Sequence, residues 1–402
     1  MQNSPYMKDI GVIGLVPDEW KGTWQPRHHV LLRLAKYFNV VWIDPAKGWR
    51  ELWLHPEKKD RDGEGMVVPA FSVYRPGRLL PQLYKPRLAA SLTEKMRYLQ
   101  ARNILKKRGC SRIILYVWRP QFGHVLDLID HDLSCYHIDD EYSFSDVETP
   151  IGEDEAKLLS RADQVFIHSP GLLNKKGHLN PHTSFVPNGV DYAAYAAACD
   201  EPDDLKRIPH PRIGYTGVLK KQIDWELLLH LSAQHREWSF VFVGPVASHT
   251  EIAGAIAELS GRGNVHFLGA KSVHDLAAYP QHFDVCIMPY QKNDYTNHIY
   301  PLKLHEYLAG GRPVVGTPIR SLLDFSGIVR LADTGDDWSR ALTAALAPEA
   351  MSAKNVEARR SIARQHDWNK LVQGIAGTFC ERLGPAYHER FEKSIKIDGN
   401  EA

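Results

Sequence analysis

The sequence is sparing with cysteine. Five of its 402 residues are cysteines, Cys110, Cys135, Cys199, Cys286 and Cys380, and they are scattered without C-x-x-C spacing. Three lie in apolar, strand-like runs, which points to a reducing compartment rather than a disulfide framework. No His/Cys spacing suits zinc. No apolar run approaches the ~20 residues that span a bilayer, and Asp9 with the short run after it lacks signal-peptide design. A cytoplasmic protein, at most peripheral on the inner face of the plasma membrane, is therefore expected. Excess charge is missing too: a formal net charge of +1 argues against a chain that coats nucleic acid, and no nucleic-acid partner is expected. The first strand offers Gly11, Gly14 and then Val16-Pro17 in place of G-x-G-x-x-G, so NAD is not expected. Asp130-His131-Asp132 precedes its strand, unlike a metal-holding D-x-D, and reads as a loop. No metal or cofactor is expected.

What the chain does have is alternation. Apolar runs at 10–16, 40–43, 112–118, 135–138, 164–168 and 184–186 are separated by helical patterns, the rhythm of a parallel sheet covered on both faces. A stretch rich in Ala, Asp and Pro, 192–211, interrupts it. New runs follow at 212–215, 239–243, 265–268, 284–288 and 313–316. The reading is α/β, with two doubly wound Rossmann-like domains facing each other across a cleft, where ligands meet the carboxyl ends of the strands. The reading divides the chain into a first Rossmann-like domain, 1–195, a linker, 196–211, a second Rossmann-like domain, 212–370, and a terminal helix, 371–402.

The chain is organised around 293–318, NDYTNHIYPLKLHEYLAGGRPVVGTP. Pro301 suits a first helical turn, Gly310 and Gly311 suit a left-handed helix end, and Pro313 to Val315 read as a buried strand. Leu304 and Leu308 would face the core. Lys303 and Glu306 share another face near the helix start, where a cation attracts phosphate and a carboxylate can accept two hydrogen bonds from a ribose diol. A solvated surface pair is the other reading of that face.

Other candidates lie at strand ends. The loop after the first strand carries Trp24, Arg27 and His28, groups that stack on and hydrogen-bond a sugar acceptor or else cover the sheet edge. In 136–142, His137 or Asp140 would orient or deprotonate an acceptor hydroxyl. Asn188-Gly189 reads as a turn with easy positive φ. Gly217 lets a ligand approach the backbone, with Lys220 and Lys221 beside it for a diphosphate or as a solvated turn. Between residues 75 and 112 there are eleven basic residues, among them Arg75, Arg78, Lys85, Arg87 and Arg112, against Glu94 as the sole acid. Tyr74, Leu79, Leu80, Leu83 and Tyr84 are interleaved. An anionic membrane surface is the partner expected there, a solvated basic helix or a phosphate-bearing acceptor the alternatives.

Taken together, Trp24-Gln25-Pro26-Arg27, Asp140-Glu141-Tyr142, 186–191, 215–221 and 300–315 resemble a GT-B glycosyltransferase of the retaining GT4 type. The nearer likeness is to its bacterial subgroup with a Pro-Leu-Lys-Leu-x-Glu-Tyr-Leu signature, of the cell-surface polysaccharide or teichuronic-acid kind. The resemblance implies a nucleotide diphosphate sugar as donor, UDP-sugar favoured, and a glycan or lipid-linked acceptor. It implies Glu306 on the ribose, and Lys303 with Lys220 or Lys221 on the diphosphate, flanked by Pro301 and Leu302. His137 or Asp140 would lie on the acceptor side. It further implies no metal, and a last helix that crosses back to the first domain. Two positions depart from the family. His298 stands where an E-x₇-E motif would place its first glutamate, and is read as a contact to the donor sugar or as a loop histidine. Val218 stands where many relatives have arginine. A GT-B nucleotide-sugar epimerase and a non-catalytic nucleotide-sugar-binding module are the competing readings.

Overall fold

The structure, a computed structural model, describes residues 4–54, 63–141, 149–247 and 250–400. Among them, β1 (Ile10–Leu15), β2 (Asn39–Ile43), β3 (Gly63–Val68), β4 (Phe71–Arg75), β5 (Arg112–Val117), β6 (Leu133–Ile138), β7 (Gln164–Ile167) and β8 (Thr183–Phe185) form one sheet. Its order is β3-β4-β2-β1-β5-β6-β7-β8. A second sheet contains β9 (Arg212–Thr216), β10 (Ser239–Val243), β11 (Val265–Phe267), β12 (Val285–Met288), β13 (Val314–Gly316) and β14 (Arg330–Leu331). Its order is β11-β10-β9-β12-β13-β14. All pairs are parallel except β3 with β4. That antiparallel hairpin departs from the sequence reading. Its two glycines in β3 and its basic continuation after β4 hide the period on which the reading relied.

Each sheet is covered on both faces, which is why its central strands are apolar throughout. β1, β2, β6, β9, β10 and β12 are buried along their whole length. The chain crosses between the sheets twice. The helices Trp368–Leu383 and Pro385–Asn400 return to the first sheet, where Trp368, Val372, Ile375, Phe379 and Phe391 share a core with Val12, Leu31 and Phe38. The stretch 192–211 opens with the helix Tyr192–Ala196 and packs on the second sheet, with Tyr195, Leu205 and Ile208 buried beside Leu304 and Tyr307.

The two crossings lie side by side. Val190 N–H donates to the His366 carbonyl at 2.9 Å, and Trp368 N–H to the Val190 carbonyl at 3.0 Å. Gly189 is explained by this contact and not by the positive φ expected of an Asn-Gly turn: a Cβ there would stand 2.7 Å from the His366 oxygen. Asn188 Nδ2 donates to the Tyr300 carbonyl at 2.6 Å, which holds the chain entering the helix Lys303–Ala309.

The basic stretch forms the helix Arg87–Lys107, which buries Tyr98, Ala101 and Leu105 against the first sheet. Its other face is unusual. Leu88, Leu92 and Met96, four residues apart, are exposed, as are Leu79 and Tyr84 in the loop before it. Among the described residues no helix is long and apolar enough to cross a membrane.

Candidate active site

The helix Lys303–Ala309 connects β12 to β13. It begins two residues later than Pro301 suggests: Leu302 is its N-cap, and the Leu304 N–H donates to the Pro301 carbonyl at 3.3 Å. Leu304, Tyr307 and Leu308 are buried, which leaves Lys303 and Glu306 half-buried on the remaining face. The helix ends at Gly310 in right-handed conformation, and of the two glycines only Gly311 has positive φ, 73°.

Lys303 is a fixed cation. Its Nζ donates to the Tyr290 hydroxyl at 2.9 Å and lies 5.0 Å from the ring centre of Tyr215 and 5.5 Å from that of Tyr290. Burial works against its charge, but Tyr215, Tyr290 and Glu306 outweigh burial and raise its pKa, so the ammonium persists. Gly217 ends β9 with φ 123°, and a Cβ there would lie 3.3 Å from Lys303 Cε. Gly244, after β10, has φ 147°, and a Cβ there would stand 2.1 Å from the Gly217 oxygen. Two strand ends and one lysine thus close on each other, and any side chain at Gly217 or Gly244 would disturb the approach. One turn along the helix, burial raises the Glu306 pKa while Lys303 and a hydrogen bond from Tyr195 pull it back. A carboxylate here has a cation on one side and a phenol on the other.

Of the lysine pair after Gly217, Lys220 acts on both domains. It draws down the pKa of Asp140 in the first domain and that of Tyr215 in the second. Its carbonyl accepts from Trp225 Nε1 at 3.2 Å, which fixes the loop. Lys221 is half-buried next to it.

Asp140 follows β6 and faces these groups. Its Oδ1 accepts from Tyr295 of the second domain at 3.2 Å and from the Glu141 N–H at 2.9 Å. Burial and the Asp139 carboxylate push its pKa up to about 6, against the pull of Lys220. A carboxyl poised there can exchange a proton near neutral pH. Tyr142, the last member of the expected cluster, lies outside the described residues.

The other first-domain candidates are taken up by packing. His137 is 3% exposed, shares a 2.6 Å hydrogen bond between Nδ1 and the Tyr116 hydroxyl, and stacks on Trp118 with ring centres 4.2 Å apart. Burial pushes its pKa down to about 3, so it stands as a neutral core residue, not an acceptor base. Arg27 is 4% exposed and paired with Asp18 and, at 2.5 Å, with Asp139, whose other oxygen takes Arg119 at 2.5 Å. It locks the helix Pro26–Leu34 to the end of β6, with its guanidinium buried and held by two carboxylates of its own domain. His28 is fully buried between Trp20 and Trp42, and burial pushes its pKa down to about 4. Trp24 is only half-buried, stacked on His28 at 5.7 Å with its edge toward His29 at 5.0 Å.

His298 sits where the domains touch. Its Nδ1 donates to the Asp294 carbonyl at 2.6 Å, and its own carbonyl accepts from Ser169 Oγ at 2.5 Å. A Cβ at Gly171 would stand 2.4 Å from the Asn297 oxygen. Leu302 packs against the core of the first domain. Asp132 of the D-x-D holds Arg112 at 2.6 Å and the Ile113 N–H at 2.8 Å, a structural tie across the strand ends.

Residues 210–354 match the model of the family described as Glycosyl transferases group 1. That stretch is the second domain, from just before β9 to the start of the helix Ala353–Gln365. A protein of Bacillus subtilis (strain 168), whose name assigns it provisionally to teichuronic acid biosynthesis as the glycosyltransferase TuaH, is 32% identical over 236 residues. That stretch covers 55% of this chain and 57% of the relative, so the chain spans little more than half of the curated protein it matches. Solved structures extend the likeness to both domains. Sucrose-phosphate synthase from Thermosynechococcus elongatus superposes with a TM-score of 0.70 at 18% identity, over 92% of this chain and 98% of the other. HepE from Anabaena, solved with UDP and glucose, gives 0.64 at 15% identity over 92% and 99%. The architecture as a whole is GT-B.

Within this GT-B fold, Tyr195, Tyr215, Tyr290 and Tyr295 supply contacts that the sequence reading did not single out. Tyr195, Tyr215 and Tyr290 sit in apolar surroundings where an aromatic reads as core, and only their hydroxyls betray a second role. Tyr295 carried a signal: it lies in the polar stretch before the signature.

Proposed function

We propose that the protein is a glycosyltransferase that moves a sugar from a nucleotide diphosphate sugar, UDP-sugar by preference, to a glycan or lipid-linked acceptor in cell-surface polysaccharide synthesis. The observation that carries this reading is the fixed ammonium of Lys303, set against the backbone of Gly217 with Glu306 one turn along. As the bond between sugar and nucleotide breaks, negative charge grows on the outer phosphate. Lys303, with Lys220 or Lys221 beside it, stabilises that charge more than it stabilises the intact donor, and so lowers the barrier. Glu306 takes the ribose hydroxyls. Fixed cations stand in for a metal, and the leaving phosphate itself deprotonates the acceptor on the face that it vacates, so configuration is retained. Asp140 orients the acceptor from the opposite wall.

Glu306→Ala is expected to weaken binding of free UDP and of the donor together by about tenfold, the loss of roughly one charge-assisted hydrogen bond. Calorimetry with UDP is the test, and unchanged affinity overturns the ribose assignment.

The exposed row Leu88, Leu92 and Met96, with Leu79, Tyr84 and the basic residues around them, belongs in this reading to an anionic membrane surface that presents a lipid-linked acceptor. Basic residues contribute about 1 kcal/mol each near such a surface. The protein should float with anionic liposomes and not with neutral ones, and Leu88→Glu combined with Leu92→Glu should abolish flotation. Equal, negligible recovery with both lipids would remove this partner.

A further inference from the structure

Away from the cleft, a cavity of about 790 Å³ lies along β14, the free edge of the second sheet. It is three strand positions from β9, roughly 14 Å at the usual spacing between strands. Its walls come from β13 and β14 and from the helices Gly335–Leu346 and Ala353–Gln365. Val314, Val329 and Ala350 give it apolar surface, while Arg330, Arg359 and Asn355 bring polar groups into it. The volume falls in the range of small-molecule sites.

The charges in this cavity do not balance locally. Its two acids are already engaged: Asp333 with Lys292 at 2.6 Å, and Asp337 with Arg340 and the N–H of Thr334. Arg359 is 6% exposed, and its Nε donates to the Gly311 carbonyl at 2.9 Å and its Nη2 to the Ala350 carbonyl. Among the described residues neither Arg359 nor the exposed Arg330 has a carboxylate partner. Burial first, then Arg312 and Arg330 nearby, push the Arg359 pKa down to about 10. A buried guanidinium crowded by cations and answered by carbonyls and the Met351 thioether, with no carboxylate, is an arrangement that an oxyanion would relieve.

We propose that this cavity binds a phosphorylated small molecule, its phosphate monoester seated between Arg330 and Arg359 with Asn355 beside it and its organic part against the apolar wall. Because Arg359 also holds the carbonyl of Gly311, just past the end of the helix Lys303–Ala309, the occupied cavity abuts the far end of the helix that carries Lys303 and Glu306.

The probes are glucose 6-phosphate, inorganic phosphate and unphosphorylated glucose, titrated into the full chain and followed by calorimetry and thermal shift. Glucose 6-phosphate should bind and raise the melting temperature, inorganic phosphate should compete with it, and glucose should do neither. Arg330→Glu, at an exposed position, should keep the melting temperature of the unliganded protein and weaken glucose 6-phosphate at least tenfold. Lys303→Ala should leave that affinity intact, which separates this cavity from the cleft whether or not the donor assignment holds. No binding at millimolar concentration, equal binding of glucose, or binding lost in Lys303→Ala but kept in Arg330→Glu would overturn the proposal.

Discussion

Lys303→Ala is expected to lower kcat by about 10²-fold or more, the effect of one lost transition-state charge contact. The size of the effect follows from how the lysine is held. Its ammonium is anchored at 2.9 Å to Tyr290 and lies over two aromatic rings, so it is in place before any ligand arrives and needs no reorganisation as charge develops. Such a group contributes little to holding a ground state that is already solvated and much to a phosphate that gains charge late. Turnover should therefore fall more than nucleotide affinity does. The rate is measured as release of nucleoside diphosphate with saturating donor and acceptor, beside a melting curve to show that the fold survives. Near-normal turnover would exclude Lys303 from the leaving-group site. Lys303→Arg should not restore the rate, because a planar guanidinium fork does not place a point charge where the ammonium is held, at 2.9 Å from the Tyr290 hydroxyl and over the rings of Tyr215 and Tyr290.

Gly244→Ala is the second large effect. The new methyl would stand 2.1 Å from the Gly217 oxygen and 2.7 Å from its carbonyl carbon, both backbone atoms, and at φ 147° an L side chain is strained in any case. Backbone strain costs about 1–3 kcal/mol. Overpacking costs a similar amount, about 1–3 kcal/mol. The clash also reaches the hydrogen bonds that position the loop, from the Gly217 N–H to Val243 at 2.8 Å and from the Gly244 N–H to Gly269 at 2.9 Å. Urea unfolding should show destabilisation of that order, and the folded fraction should turn over poorly because the backbone facing Lys303 has moved. A variant with wild-type stability and rate would show that the two strand ends do not need their close approach.

These two residues differ in how visible they are from sequence. Lys303 is legible because it belongs to a local pattern: a proline, an apolar i, i+4 pair and a charged i, i+3 pair within one short helix. Gly244 carries no such local pattern, since its partner Gly217 is a neighbour through the sheet and not along the chain. The same distinction explains the rest. The alternation that gave two Rossmann-like domains is a repeated local signal, and it survives in nearly every parallel strand. His137 and Asp140 look alike on paper, two ionisable groups at the end of one strand, yet one faces the aromatic layer of Tyr116 and Trp118 and the other faces Lys220. Which of them meets the cleft depends on the direction of the side chain at a strand's last residues, and a shift of one residue reverses it. Arg27 reads as a ligand contact because an arginine near aromatics has that chemistry. Its true partner, Asp139, is 112 residues away. The charge of 75–112 was plain in sequence, but the exposed row of Leu88, Leu92 and Met96 had to wait for the helix to show which face its core occupies.

The paired crossings at Val190 and Asp367 bear on how the cleft works. A single polypeptide strand between two bodies swivels about every torsion and lets them drift in any direction. Two strands bridged by the hydrogen bonds of Val190 with His366 and Trp368 behave as a ribbon, stiff in its own plane and compliant only across it. With Asn188 tied to Tyr300, the signature helix is fastened close to that ribbon. Asp140 on one wall and Lys220 and Lys303 on the other are thus referred to one short, doubly held segment and not to a single swivel, with the tie from Tyr295 to Asp140 as a second anchor across the cleft.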